Sequence, residues 1–380
     1  MIILLGADTN PCGMNKFFFR EGSRRKLLND LIPLIEESDA FILNLEGSFT
    51  TDVENRIDKS GPHLGIDPES IVGYRIFHPN LLLNLANNHS FDYGIDGFKL
   101  TRNLCNENNI ATFGAGLDLE EAMKPIILQK DGLRVAVLGM AERESLIATD
   151  NSPGVNPIDI IGFVRFMRKN RDNFDHLIVL YHGGMENYSF PTPNQQKVCR
   201  FLIEQGVSIV VCQHSHIVGC YEYYENGIII YGQGNFIFDY VHNRPINQFG
   251  LLLKIDLSSN NRFTVNWFPF SQSGNKSGVQ MLDEDNSFDI LSKWEKNSKC
   301  VVDPHCVAER WNEICKTKSG FLRYLICGNS PRLLVSLCSK LQLTSKLMTS
   351  KRYLLYNNIL NCETHIELLR GIVVEGLKCD

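Results

Sequence analysis

None of the twelve cysteines forms a Cys-x-x-Cys pair, which removes the zinc knuckle as an organising motif. They are scattered through apolar runs and helix-like stretches, so they read as buried thiols rather than a disulfide framework and point to a reducing compartment. No apolar run approaches the roughly 20 residues needed to span a bilayer. Nor do a basic segment and a long apolar stretch precede MIILL at residues 1–5, which read directly as a first strand. A cytoplasmic protein is expected, at most peripheral to the inner membrane. Acidic residues are missing altogether from residues 314–362, where Lys316, Lys318, Arg323, Arg332, Lys340, Lys346, Lys351 and Arg352 contribute +8. The chain's net −5 therefore leaves −13 elsewhere, and the two parts are expected to do different jobs.

With 380 residues and 43% hydrophobic content, the chain can hold two domains, or one large α/β domain with an extension. Its most telling stretch is VSIVVCQHSH at 207–216, an apolar run ending in His214 and His216. A strand carries such a run out of the core, and irregular backbone at its end can aim both imidazoles at one ion. Two solvated loop histidines fit the same letters, so the rest of the chain decides.

Four other apolar runs end in similar residues. Residues 2–5 lead into a turn carrying Asp8 and Asn10; alone, Asp8 equally suits a turn or a helix cap. Residues 40–45, AFILNL, are followed at once by Glu46, a carboxylate costly to bury unless paired or metal-bound, with Asn44 beside it. Residues 81–85 deliver Asn87, Asn88, His89 and Asp92, where Asp92 could orient the His89 ring. Residues 176–180 open onto His182, two glycines and Glu186, and a strand from 227 leads to Asn235. Helices are expected over 24–38, 67–77, 97–108, 159–173 and 194–205, the second capped by Asp67 with Pro68 at its first position. The strands at 249–255 and 262–268 read as a terminal pair.

Strand ends thus supply Asp8, Glu46, Asn88, His182, His214 and His216. Hard oxygens mixed with imidazoles suit Mn²⁺, Fe²⁺ or Zn²⁺ better than Ca²⁺ or Mg²⁺. Six ligands exceed what one tetrahedral ion needs, so two divalent ions are expected, with His89 as proton donor to a leaving oxygen.

The order Asn44-Leu45-Glu46, Ala86-Asn87-Asn88-His89 with Asp92-Tyr93-Gly94, Gly114-Ala115-Gly116, His182-x-Gly184-x-Glu186, His214-x-His216 and Gly234-Asn235-Phe236 resembles the CapA (PgsA) family of poly-γ-glutamate capsule biosynthesis, within the calcineurin-like metallophosphoesterase superfamily. The resemblance implies a four-layer α/β sandwich of two mixed sheets flanked by helices over residues 1–274. It also implies a dinuclear metal site with Asp8 and His216 on one ion, Asn88, His182 and His214 on the other, and Glu46 as the bridge. His89 matches the catalytic histidine, and Asn10 lies where many superfamily members carry a further histidine ligand. Gly183 stands where the family usually has Trp, Gln213 and Ser215 replace the commoner His and Pro, and the family's N-terminal membrane anchor is absent.

Residues 275–380 are expected to form a basic helical extension, a cap on the catalytic part or a surface for anionic lipid or acidic polymer. Two functions follow: a metal-dependent hydrolase in capsule, poly-γ-glutamate or cell-envelope polymer synthesis, acting on an anionic small molecule or polymer; or a non-catalytic, metal-containing scaffold that binds the polymer. Nucleic acid is not expected as a partner, because the acidic part offers no backbone-tracking groove. If the basic extension docks on membranes, vesicles rich in anionic lipid should retain the protein and release it as salt is added, each basic residue contributing about 1 kcal/mol. Equal binding to neutral vesicles in sedimentation would rule that role out.

Overall fold

The computed structural model describes residues 1–59, 61–144, 146–239, 245–259, 262–273 and 276–317. The helices expected beyond residue 317 lie outside the described residues. The first compact unit spans Met1–Ala308.

Two mixed sheets form its frame. In the larger, the strands run in the order Val279–Met281, Phe263–Gln272, Phe249–Leu257, Ile2–Asn10, Ala40–Leu45, Leu81–Asn84 and Ala111–Phe113, with Asn235–Phe238 also paired to Ile2–Asn10. In the smaller the order is Val218–Tyr224, Gly227–Gln233, Ile209–Gln213, His176–His182, Leu133–Ala141 and Ile126–Lys130. In the larger sheet the strands from Ile2–Asn10 through Ala111–Phe113 pair in parallel and those from Phe249–Leu257 to Val279–Met281 add on antiparallel; in the smaller sheet the inner strands are parallel and the two edge strands antiparallel.

Side-chain alternation sorts the layers. Ile3 and Leu5 of the first strand meet Val135, Val137, Ile178, Leu180, Ile209 and Val211 of the other sheet, so the sheets face each other across an aliphatic core. Leu4, Phe41 and Leu43 point the opposite way, onto Phe19, Leu27, Leu31, Tyr74 and Phe77. Ala136, Leu138, Val179 and Val210 likewise pack outward on Phe163, Phe166, Leu202 and Ile203 of the helices Ile160–Asn170 and Pro193–Glu204. The result is the expected four-layer helix, sheet, sheet, helix sandwich.

Several local expectations change. The single helix over 24–38 is broken at Asn29, whose φ of +43° cannot continue a right-handed helix, and Pro33 opens the next short helix rather than interrupting one. The strands ending at Leu257 and Gln272 are not terminal: Val279–Met281 extends their sheet, past the division expected after residue 274. The helix Glu284–Val301 then lies against Val218–Tyr224, placing the fully buried Trp294 against Tyr221 and Trp267 at ring-centroid distances of 5.2 and 5.9 Å. Cys300 and Cys306 are joined in a disulfide, so the expectation of thiols alone fails at that helix junction, whereas Cys105, Cys199, Cys212 and Cys220 are buried thiols.

Trp294→Ala should cost about 3–5 kcal/mol, because it removes a fully buried ring from an aromatic cluster. Urea unfolding measures it, and a loss below about 1 kcal/mol would show that this helix is peripheral to the core.

Candidate metal centre

The parallel strands of both sheets end on one side of the sandwich, where open α/β sheets build sites. In the larger sheet Asp8, Asn44 and Asn84 sit side by side in register, and Asp8 is also paired with Asn235. In the smaller sheet His182 sits opposite Gln213, so His214 follows immediately. Asp8 lies inside a strand that continues to Asn10, not in a turn beyond it; a register shift between Leu5 and Asp8 re-aims the side chain. His182 is likewise the last residue of its strand rather than one beyond it. His214 and His216 have φ of +92° and +57°, a left-handed backbone that non-glycine residues adopt at a cost and that recurs where a side chain must be aimed.

The larger sheet supplies carboxylates and amides, the smaller one imidazoles. Around Glu46 Oε1 stand His182 Nε2 at 3.8 Å, His216 Nε2 at 3.8 Å and His89 Nε2 at 3.9 Å. Those gaps are too long for hydrogen bonds. They suit donors sharing an ion, since two ligands each about 2.1 Å from a tetrahedral centre are about 3.4 Å apart. Glu46, His182 and His214 form one buried group able to hold a metal, and Asp8, Glu46 and His216 form another. Asn88 Oδ1 is 2.9 Å from His182 Nε2.

Both Glu46 carboxylate oxygens and His214 Nδ1 are buried without a hydrogen-bond partner among the described residues. Such groups are rare because desolvation goes uncompensated, and a divalent cation supplies the missing compensation. The donor set therefore fits a metal. The charge pattern agrees: burial, only partly offset by a cationic His216 and reinforced by Asp8, pushes the Glu46 carboxyl well above its usual range. Burial holds His182 well below the ordinary imidazole value, with His214 adding to it, and drops His214 to about 3. Burial opposes protonation of His216 too, yet Glu46 and Asp8 overcome it and raise that ring to about 10.

The remaining expected residues divide in two. Asn44 donates from Nδ2 to Asp8 Oδ1 at 2.8 Å, while its Oδ1 accepts from Asn84 at 3.2 Å and Asn87 at 3.1 Å. Asn10 donates to the Glu46 carbonyl at 2.7 Å, which makes it a backbone brace. Asn235 Oδ1 lies 2.9 Å from His216 Nδ1, and His89 Nδ1 lies 2.7 Å from Asp92 Oδ2. Glu186 is exposed and acts on Glu46 only through its charge. Two residues escaped the sequence reading: Glu144, whose Oε2 is 3.5 Å from His214 Nε2, and Lys59, beside His89. Glu144 stands three residues past the apolar strand Leu133–Ala141, a signal like the one that marked Asp8, whereas Lys59 lies in a polar loop that carries no such mark. A Cβ at Gly183 would approach Glu142 Cγ to 2.5 Å, so a larger side chain there requires Glu142 to move.

A four-layer sandwich with oxygen and imidazole donors converging at its strand ends defines a metallophosphoesterase-like protein. The family model for the bacterial capsule synthesis protein PGA_cap matches residues 14–240, more than half the chain, and the protein belongs to that family. The PGA biosynthesis protein CapA of Bacillus subtilis is 31% identical over 210 residues, 54% of this chain and 55% of that protein. The capsule biosynthesis protein CapA of Bacillus anthracis is 28% identical over 276 residues, 69% and 65% of the two chains. The chain thus spans between about half and two thirds of these relatives. A crystal structure of a hypothetical protein from Thermus thermophilus aligns with 72% of this chain and 100% of its own at 11% identity and a TM-score of 0.43, too remote to argue from.

Because burial raises the Glu46 carboxyl of the metal-free fold above its ordinary value of 4.5, stability of that metal-free fold should fall as pH rises above 4.5 toward the folded value. Chelator-treated Glu46→Gln should therefore melt higher than chelator-treated wild type at pH 8, with the gap closing toward pH 4.5. Identical melting curves across that range would show that Glu46 is not under electrostatic strain.

Proposed function

We propose that this protein is a metal-dependent hydrolase of the phosphoesterase type, acting on an anionic substrate in the synthesis of a capsule or related envelope polymer. The supporting observation is Glu46, a fully buried carboxylate common to both donor groups. Asp8, Glu46 and His216 would hold one divalent ion; Glu46, His182 and His214, with Asn88, a second. Ions so placed supply positive charge that polarises an ester oxygen and acidifies water near neutral pH.

The chain's own residues would do the rest. Asn44 steadies Asp8, and Asn235 fixes the ring of His216 through Nδ1, leaving Nε2 toward Glu46. His89, gripped at Nδ1 by Asp92, turns Nε2 toward Glu46 and is placed to pass a proton to a departing oxygen. The names of the Bacillus relatives carry the polymer assignment, and the +8 stretch at 314–362 suits peripheral contact with an anionic surface.

Metal content by mass spectrometry should be two Mn, Fe or Zn per chain, falling below one in Glu46→Ala. His89→Ala should keep the metal but lose about 100-fold or more in turnover across a phosphomonoester, phosphodiester and peptide panel. Full metal occupancy with no His89-dependent turnover would overturn the hydrolase and favour a polymer-binding scaffold.

A further inference from the structure

Lys59 is a half-buried cation set against the candidate centre. Its side chain retains only 14% of its exposure, and its ammonium forms an ion pair with Asp92 Oδ1, a carboxylate with no exposure at all. The same nitrogen lies 3.4 Å from the Asn88 carbonyl and 3.3 Å from His89 Nδ1. Two donors so close together are tolerated because one carboxylate lies between them: His89 Nδ1 meets Asp92 Oδ2 at 2.7 Å and Lys59 takes Oδ1. Burying a lysine stem and head is expensive, and its full pairing with Asp92 and a carbonyl is what offsets the loss of hydration.

The connection between the strands Ser48–Phe49 and Gly65–Ile66 closes on the same aspartate. Ile57 N–H donates to the Asp92 carbonyl at 3.0 Å and Leu64 N–H donates to Oδ2 at 2.7 Å. Oδ2 thus serves both Leu64 and His89, and among the described residues Lys59 is what holds Oδ1. Rotation of the carboxylate about its own axis would loosen the grip on the imidazole. Lys59 also reaches the far rim electrostatically, since its charge acts on Glu144, the residue beside His214.

We propose that Lys59 is a positioning residue that locks the Asp92 carboxylate in the rotation that aims His89, and in the same contact helps hold Ile57 and Leu64 against that aspartate. The proposal rests on the hydrolase reading for its catalytic consequence but not for its structural one. Lys59→Met keeps the apolar stem and removes the ammonium; Lys59→Arg restores a cation.

The test uses the full chain labelled with ¹⁵N-histidine, with the His89 Nδ1–H resonance assigned by its disappearance in His89→Ala. Wild type should show a downfield, exchange-protected signal. Lys59→Met should broaden or abolish it and speed exchange of the Ile57 and Leu64 amides by about tenfold, with the remaining protection unchanged, and Lys59→Arg should restore both. On a phosphoester that the wild type turns over, Lys59→Met should lower kcat by about 10-fold or more with KM nearly constant, again rescued by Arg. An unchanged resonance and unchanged exchange in Lys59→Met would overturn the proposal. If Lys59→Met fails to fold, Lys59→Gln is read by the same criteria. Loss of the resonance effect and absence of turnover are separate results, so the failure of this assignment and that of the hydrolase reading are told apart.

Discussion

A carboxylate without a hydrogen bond, sealed from water, governs how this fold is built. Glu46 has both oxygens buried and unpartnered among the described residues, with three imidazole nitrogens at 3.8–3.9 Å. Only a cationic His216 offsets it in part, so the fold tolerates the carboxylate only where other ligating groups converge. Each sheet contributes half of that convergence. The larger provides Asp8, Glu46 and Asn88 and the smaller His182, His214 and His216, which is why two facing sheets, rather than one, are needed to assemble the centre.

Precision at the site comes from amides that do not themselves offer ligands to an ion. Asn44 joins Asp8, Asn84 and Asn87 in one buried chain of hydrogen bonds, so the ends of three adjacent strands move as a unit. Asn87 in turn accepts from the His89 backbone at 3.0 Å, which ties that turn to the same chain. Fully satisfied networks of this kind rigidify their surroundings, and a displacement at one strand end is felt at the others. Gly47, at φ +149°, completes the arrangement: a Cβ there would come within 2.7 Å of the Leu64 carbonyl and 2.8 Å of Asn10 Nδ2. The chain can therefore turn directly after Glu46 while Asn10 braces that residue's carbonyl.

Family membership carries the centre but leaves room for difference around it. Glycine at 183 gives its space to Glu142, which accepts from Tyr181 Oη at 2.8 Å, so the rim beside His182 is acidic where the family commonly places an aromatic ring. With Glu144 and Glu186 nearby this rim is negative, and the charge of the half-buried Lys59 acts on Glu144.

The strands of the sandwich and most of the candidate centre were legible in residue order alone, because a buried parallel strand is a run of aliphatic residues and a polar residue at its end stands out against that run. Asp8, Glu46, His182, His214 and His216 all announce themselves in this way, and spacing marks His89 and Asp92. Long-range packing settled the rest: that Asp8 and His182 belong to their strands, that the helix expected over 24–38 breaks at Asn29, and that Asn10, Asn44 and Asn87 serve as braces. Those outcomes depend on register shifts and on contacts between residues far apart in the chain, which local pattern does not encode. Lys59 shows the limit most clearly: in sequence it is one charge in a polar loop, and it becomes part of the centre because Ile57 and Leu64 fold that loop onto an aspartate 33 positions away.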